Sequence, residues 1–257
     1  MGISRFIITD NNISADKRYE LKSTASYYYK IAEEYRNNFN YKEAVINYLN
    51  VILIERQYLP AYTGIALAYK EMKQYKKAVK YLKKGETIAP TDTYIQKELA
   101  ICNIIEGEFD DGLKHLIKAI SLEPKNPDLQ MQLALVHEMI DEEDMALMIY
   151  KKITETNPNY IRAYIQMATL YMHLDDYISS AVIFKKISKI KPDYYRAFLA
   201  LGICYEKLSN IKTAKRYYKK YLEKNPMAND YFDIKNRMKE ISVPFVANKC
   251  KLKIIHT

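Results

Sequence analysis

An all-α solenoid of stacked helix pairs is the fold this sequence predicts. Three observations carry that prediction: prolines on a fixed ruler, small residues on the same ruler, and few chain breakers. Pro90, Pro124, Pro158, Pro192 and Pro226 stand 34 residues apart. A fixed period in this range is the signature of a repeat array. The chain of 257 residues holds only 6 Gly and 8 Pro, too few for the many turns of an all-β sandwich.

Counting Ala25 as position 1, repeats start at Ala25, Leu59, Thr93, Pro127, Ile161 and Tyr195. Position 8 then reads Ala32, Ala66, Ala100, Ala134, Ala168 and Gly202. Position 20 reads Ala44, Ala78, Gly112, Ala146, Ser180 and Ala214. Small residues at both places let two helices approach to roughly 8–10 Å between axes. Large residues flank those gaps. Position 4 gives Tyr28, Tyr62, Gln96, Gln130, Tyr164 and Phe198. Position 24 gives Tyr48, Leu82, Leu116, Tyr150, Phe184 and Tyr218. Between Leu59 and Pro90 the apolar spacing fits two helices of about 13 residues, with a turn near Met72–Gln74. Proline at position 32 lacks an N–H and biases its predecessor away from helix, so it ends the second helix.

This large–small–aromatic pattern resembles the tetratricopeptide repeat. The resemblance covers residues 25–228 as six repeats: 25–58, 59–92, 93–126, 127–160, 161–194 and 195–228. It departs from the family at position 4, which never holds Trp, and at Arg56, which stands where proline is expected. The resemblance implies a right-handed superhelical α-solenoid.

One repeat cannot bury its apolar face alone, so the ends of a stack need caps. Asn229–Ile241, with Tyr231, Phe232, Ile234, Met238 and Ile241 among charges, is expected to cap the C-terminus as a helix over 229–242. Residues 1–24 form an N-terminal extension, with 14–24 as a partial helical cap, and 243–257 read as a flexible tail.

Apolar residues make up 49% of the chain, enough to bury a sizeable core. The N-terminal apolar stretch is too short for a signal peptide, and no apolar run is long enough for a membrane span. Gly2 does not make a myristoylation signal, because Phe6 stands where Ser or Thr is required. Three widely spaced cysteines, Cys102, Cys204 and Cys250, give neither a disulfide scaffold nor a metal cluster, and point to a cytoplasmic protein.

No catalytic constellation emerges, and the expectation is a non-enzyme without cofactor or metal. Six scattered glycines cannot cradle a phosphate. Cys102 and Cys204 both fall at position 10, apolar throughout, and read as core residues. His137 falls at position 11 and reads as a packed histidine. His115 and His173 fall at unrelated positions.

The resemblance implies that first helices line a concave groove, mainly through positions 2, 5, 9, 12 and 13. At those positions Ile101, Ile104, Ile105, Met131, Leu135, Met139, Ile165 and Met172 form an apolar strip, joined by Leu67, Lys97 and Arg162. Such a strip suits an amphipathic helix or an extended apolar peptide of a protein partner. The competing reading packs several of these residues repeat against repeat. A clamp for a terminal carboxylate is not supported. Of Lys97, Ile101, Gln132, Arg162 and Gln166, only Lys97 and Arg162 match that family pattern. The asparagine ladder of glycosyltransferase solenoids is missing too.

Net charge is +9 and unevenly spread. Repeat 2 has 7 cations and 3 anions, repeat 4 has 2 and 7, and repeat 6 has 8 and 2. This raises a second function class, an RNA- or acidic-surface-binding solenoid using Lys-rich second helices. Against RNA, ten of the 25 tyrosines sit at core positions 4, 11 and 24. The first reading is therefore a non-catalytic adaptor or scaffold with a peptide groove.

Overall fold

The computed structural model describes residues 15–241. The expected tail with Cys250 and His256, and the first part of the N-terminal extension, lie outside the described residues. The described residues form helices and no strands: α1 (Ala15–Asn37), α2 (Tyr41–Ile54), α3 (Leu59–Glu71), α4 (Tyr75–Ile88), α5 (Thr93–Ile105), α6 (Phe109–Leu122), α7 (Pro127–Met139), α8 (Glu143–Thr156), α9 (Ile161–His173), α10 (Tyr177–Ile190), α11 (Arg196–Lys207), α12 (Ile211–Lys224) and α13 (Tyr231–Glu240). This is an all-α repeat solenoid. Its contacts divide into two units, Met1–Val136 and His137–Thr257, called unit 1 and unit 2 below.

The same turn recurs between the two helices of each pair. Phe39, Lys73, Gly107, Asp141, Asp175 and Ser209 have φ between 57° and 82°, and all occupy position 15. The next residue donates its N–H back across five residues, closing the first helix. Asn40 N reaches the Tyr35 carbonyl at 2.8 Å, Gln74 N that of Tyr69 at 2.8 Å, and Asn210 N that of Tyr205 at 2.8 Å. This is the Schellman closure, which needs one left-handed residue and satisfies carbonyls the helix end leaves open. Only Gly107 takes that conformation without a Cβ penalty.

Second helices end where proline requires. Ala89, Glu123, Asn157, Lys191 and Asn225, each preceding a proline, have left the helical region, with φ from −128° to −135°. Glu55 does the same at φ −128° although Arg56 follows it. The bend at this position therefore forms without proline.

Position 4 explains its own substitutions. The Tyr62 hydroxyl donates to the Arg56 carbonyl at 2.8 Å. The Gln96 amide donates to the Pro90 carbonyl at 3.2 Å, and the Gln130 amide to the Pro124 carbonyl at 2.8 Å. All three acceptors are at position 32 of the preceding repeat. Glutamine therefore replaces tyrosine without orphaning the carbonyl. Buried Gln96 also lies 2.8 Å from His115 Nδ1, and its amide donates to Glu86 at 2.9 Å.

In unit 1 the core runs as clusters between successive helices: Ala44, Val45, Tyr48, Ile65 and Ala68, then Ala78, Leu82, Ile95 and Leu99, then Ala100, Leu116, Leu129 and Val136. The small positions are close approaches. A Cβ on Gly112 would meet Ile104 at 2.7 Å. In unit 2 a Cβ on Gly202 would meet the Tyr218 ring at 2.4 Å.

Two end segments refine the sequence reading. Residues expected to form a separate N-terminal cap run on into the first helix, so α1 is a single helix of 23 residues. At the other end α13 docks by Ile234, Met238 and Ile241 on Ala214 and Tyr218. Phe232, expected among its apolar residues, is 75% exposed. Arg237 of α13 pairs with Glu206, which also accepts the Tyr218 hydroxyl at 2.8 Å.

Candidate functional site

The groove positions behave differently in the two units. In unit 1, Leu67, Lys97, Ile101, Ile104 and Leu135 are half-buried, and Ile105 is 52% exposed at the end of α5. Met131 is 1% exposed and belongs to the packed interior, so its expected place in the groove lining is corrected. Its unbranched thioether fills core space, as methionine does elsewhere. Ile104 is also drawn inward. It packs against the cluster of Ala100, Leu116 and Leu129, taking the room that Gly112 leaves.

The gap between α3 and α5 is closed around one ion pair. Lys70 Nζ at position 12 lies 2.5 Å from Glu98 Oε2 at position 6 of the next repeat. Leu67, Leu82, Tyr94 and Cys102 fill the space around this pair, leaving no room for a water molecule. The Glu98 side chain is 7% exposed, and Lys70 is the cation paired with it.

In unit 2 the same positions open a cavity of about 390 Å³. Ile165 and Met172, both expected from the sequence, line it with Thr169 on α9. Leu199 and Ile203 of α11 continue the apolar wall. Tyr194, Tyr195, Arg196, Tyr221, Asn225 and Met227–Asp230 complete the lining. Burial pushes the Tyr194 phenol up. The Tyr221 phenol is pushed up to about 12, first by burial and then by its hydrogen bond to Asp230, at 2.7 Å. Both phenols are therefore neutral donors at the cavity wall. Arg162 and Met139, also expected as groove residues, are exposed, Met139 by 56%.

Sequence reasoning left Leu199 and Ile203 out of the strip, although the ruler puts them at positions 5 and 9, in register with Ile165 and Thr169. The other lining residues lie outside the groove positions: Tyr194 and Tyr195 precede α11, Tyr221 is on α12, and Asn225–Asp230 is the turn before α13.

The thiols of Cys102 and Cys204 are buried and free. Burial raises Cys102 to about 11 and also raises Cys204, so both stay protonated near neutrality. His137 is packed against the turn, with Nδ1 2.6 Å from Glu142. Among the described residues no group of three or more His, Cys, Asp or Glu could hold a metal ion, and no helix is long and apolar enough to cross a membrane.

The family model described as the tetratricopeptide repeat matches residues 25–58, 59–92 and 161–194, and a second model of the same description matches 196–226. Together they cover just over half of the chain. No curated protein matches it in sequence. Solved structures do match in fold. The C-terminal part of a repeat protein from Cytophaga hutchinsonii is 18% identical, with TM-score 0.72, over 82% of this chain and 85% of that one. A tetratricopeptide repeat protein from Parabacteroides merdae is 13% identical, with TM-score 0.65, over 86% and 87%. YrrB, described as a repeat protein with an unusual peptide-binding site, is 16% identical, with TM-score 0.56, over 74% and 97%.

Proposed function

The chain belongs to the tetratricopeptide repeat family, and from that premise we propose that it is a non-catalytic adaptor holding a helix or peptide of a protein partner on its first helices. Repeats of this family form a scaffold for protein–protein interaction. The narrower reading rests on one observation, the cavity in unit 2. Its apolar wall of Ile165, Met172, Leu199 and Ile203 suits a large apolar side chain of the partner. Arg196, Asn229 and Asp230 at its edge offer polar contacts to the partner's backbone. YrrB, with its own peptide-binding site, is a structural precedent for the fold and supplies no residue.

The reading includes the division into six repeats over 25–228 and a capping α13. The left-handed residue at position 15 of every pair supports it. Ile105 and Leu135 in unit 1 serve as secondary contacts.

The test is capture from nuclease-treated source lysate, comparing the intact chain with Leu199→Glu plus Ile203→Glu. Circular dichroism must first show that both fold. The reading predicts a protein partner retained by the first and lost by the second. A partner held equally by both rules out the cavity as the site.

A further inference from the structure

Positions 18, 22, 25 and 26 lie on one face of each second helix, following the i, i+4, i+7, i+8 spacing. In unit 2 every residue at these positions is exposed. On α12 they are Lys212, Arg216, Lys219 and Lys220, all cationic. On α10, Ile178 and Val182 precede Lys185 and Lys186. On α8, Asp144 and Met148 precede Lys151 and Lys152. Because the repeat position is shared, the three lysine pairs occupy equivalent places on successive helix pairs. The outer face of unit 2 thus has a basic edge of three lysine pairs, and beside it positions 18 and 22 grade from Asp144 and Met148 on α8, through Ile178 and Val182 on α10, to Lys212 and Arg216 on α12.

The cations are positioned and largely unneutralised. Lys186 lies over the Tyr164 ring at 4.6 Å and Lys220 over the Phe198 ring at 4.4 Å, both rings at position 4 of the same repeat. Lys219 lies 3.8 Å from Glu223, and the other cations of the face make no ion pair among the described residues. Lysines already held in place lose less freedom on binding.

We infer that this outer face docks an amphipathic protein segment whose acidic end lies over α12 and whose apolar stripe lies on Met148, Ile178 and Val182. Charge complementarity selects this occupant. A phosphate backbone has no use for three exposed apolar side chains, and it meets repulsion at Asp144 and its neighbours Asp141, Glu142 and Glu143. Nor are the nearby rings free for bases, since Tyr205 and Tyr217 stack on each other at 5.6 Å with Lys185 over Tyr205 and Arg216 over Tyr217. An anionic bilayer meets the same four carboxylates. A protein segment with graded charge matches all three zones. The inference is independent of the cavity reading.

The probe is a labelled synthetic helix of about 20 residues, with a Leu stripe, Glu at one end and Lys at the other, titrated by anisotropy with the full chain. Binding should weaken by at least about tenfold in Lys185→Gln, Lys186→Gln, Lys219→Gln, Lys220→Gln combined. Ile178→Ser plus Val182→Ser should weaken it about fivefold or more. Leu199→Glu should leave it unchanged, which separates this face from the cavity. No binding by the intact chain overturns the inference. So does a loss confined to the lysine variant, with phosphatidylserine vesicles or duplex RNA competing the helix off, because that is charge attraction alone.

Discussion

The inner surfaces of the two units carry the same repeat positions and reach opposite results. Between α3 and α5 in unit 1, Lys70 and Glu98 bridge adjacent repeats and leave no space around the pair. Over α9 and α11 in unit 2, the surface opens into about 390 Å³. Position 9 does not separate the units, since Ile203 lines the cavity beside Thr169. The cause is pairing across repeats. Position 12 is Lys70 in one unit and Met172 in the other, while position 6 of the next repeat is Glu98 in one and Ala200 in the other. A repeat therefore fixes where a side chain sits, and the cross-repeat partner decides whether that place is wall or opening.

The largest expected effect breaks the closed surface. Lys70→Ala leaves the Glu98 carboxylate buried without its cation. It should cost unit 1 about 2–3 kcal/mol, the buried-pair value discounted because Lys70 is partly exposed. Denaturant unfolding checks this, with Lys70→Ala plus Glu98→Leu expected to recover most of the loss. Next is Gly202→Ala, which drives a methyl into the Tyr218 ring behind the cavity and should cost unit 2 roughly 1–3 kcal/mol. Hydrogen exchange should place that loss in α11 and α12.

A smaller effect should be shared by both units. Lys73→Gly and Ser209→Gly each relieve a left-handed backbone residue, at φ 57°, and should each gain about 0.5–1 kcal/mol. Thermal melts giving a gain in one unit and a loss in the other would break the equivalence of the turns. The smallest effect separates the units by pH. Burial lowers the His115 pKa, against the opposing pull of Glu86, so the unfolded chain takes up the proton first. The stability His115 contributes is complete above its ordinary value of 6.5 and is lost as pH falls below it toward the lowered value. Exchange protection around α6 should drop in that window, and His115→Asn should remove the dependence.

The scaffold was legible because its determinants are local and repeat. Prolines 34 residues apart, small residues at positions 8 and 20, and the position 4 and 24 large residues each report one recurring contact. The turn conformation at position 15 carried no such signal, because Phe39, Lys73, Asp175 and Ser209 share no chemistry. They are held left-handed by the helix closure around them. The proposed site was legible only in part. Ile165 and Met172 line the cavity, whereas Met131 is buried and Ile104 turns inward. The place of Ile104 depends on the room left by Gly112 on another helix, which spacing along one helix does not encode.

Site-specific photocrosslinking tests the central claim most directly. A photoreactive amino acid is placed in turn at Leu199 in unit 2 and at Leu67 in unit 1, and each chain is irradiated with the captured protein partner. The account predicts a crosslink from position 199 and none from position 67. A crosslink from position 67 alone, or from neither, contradicts it.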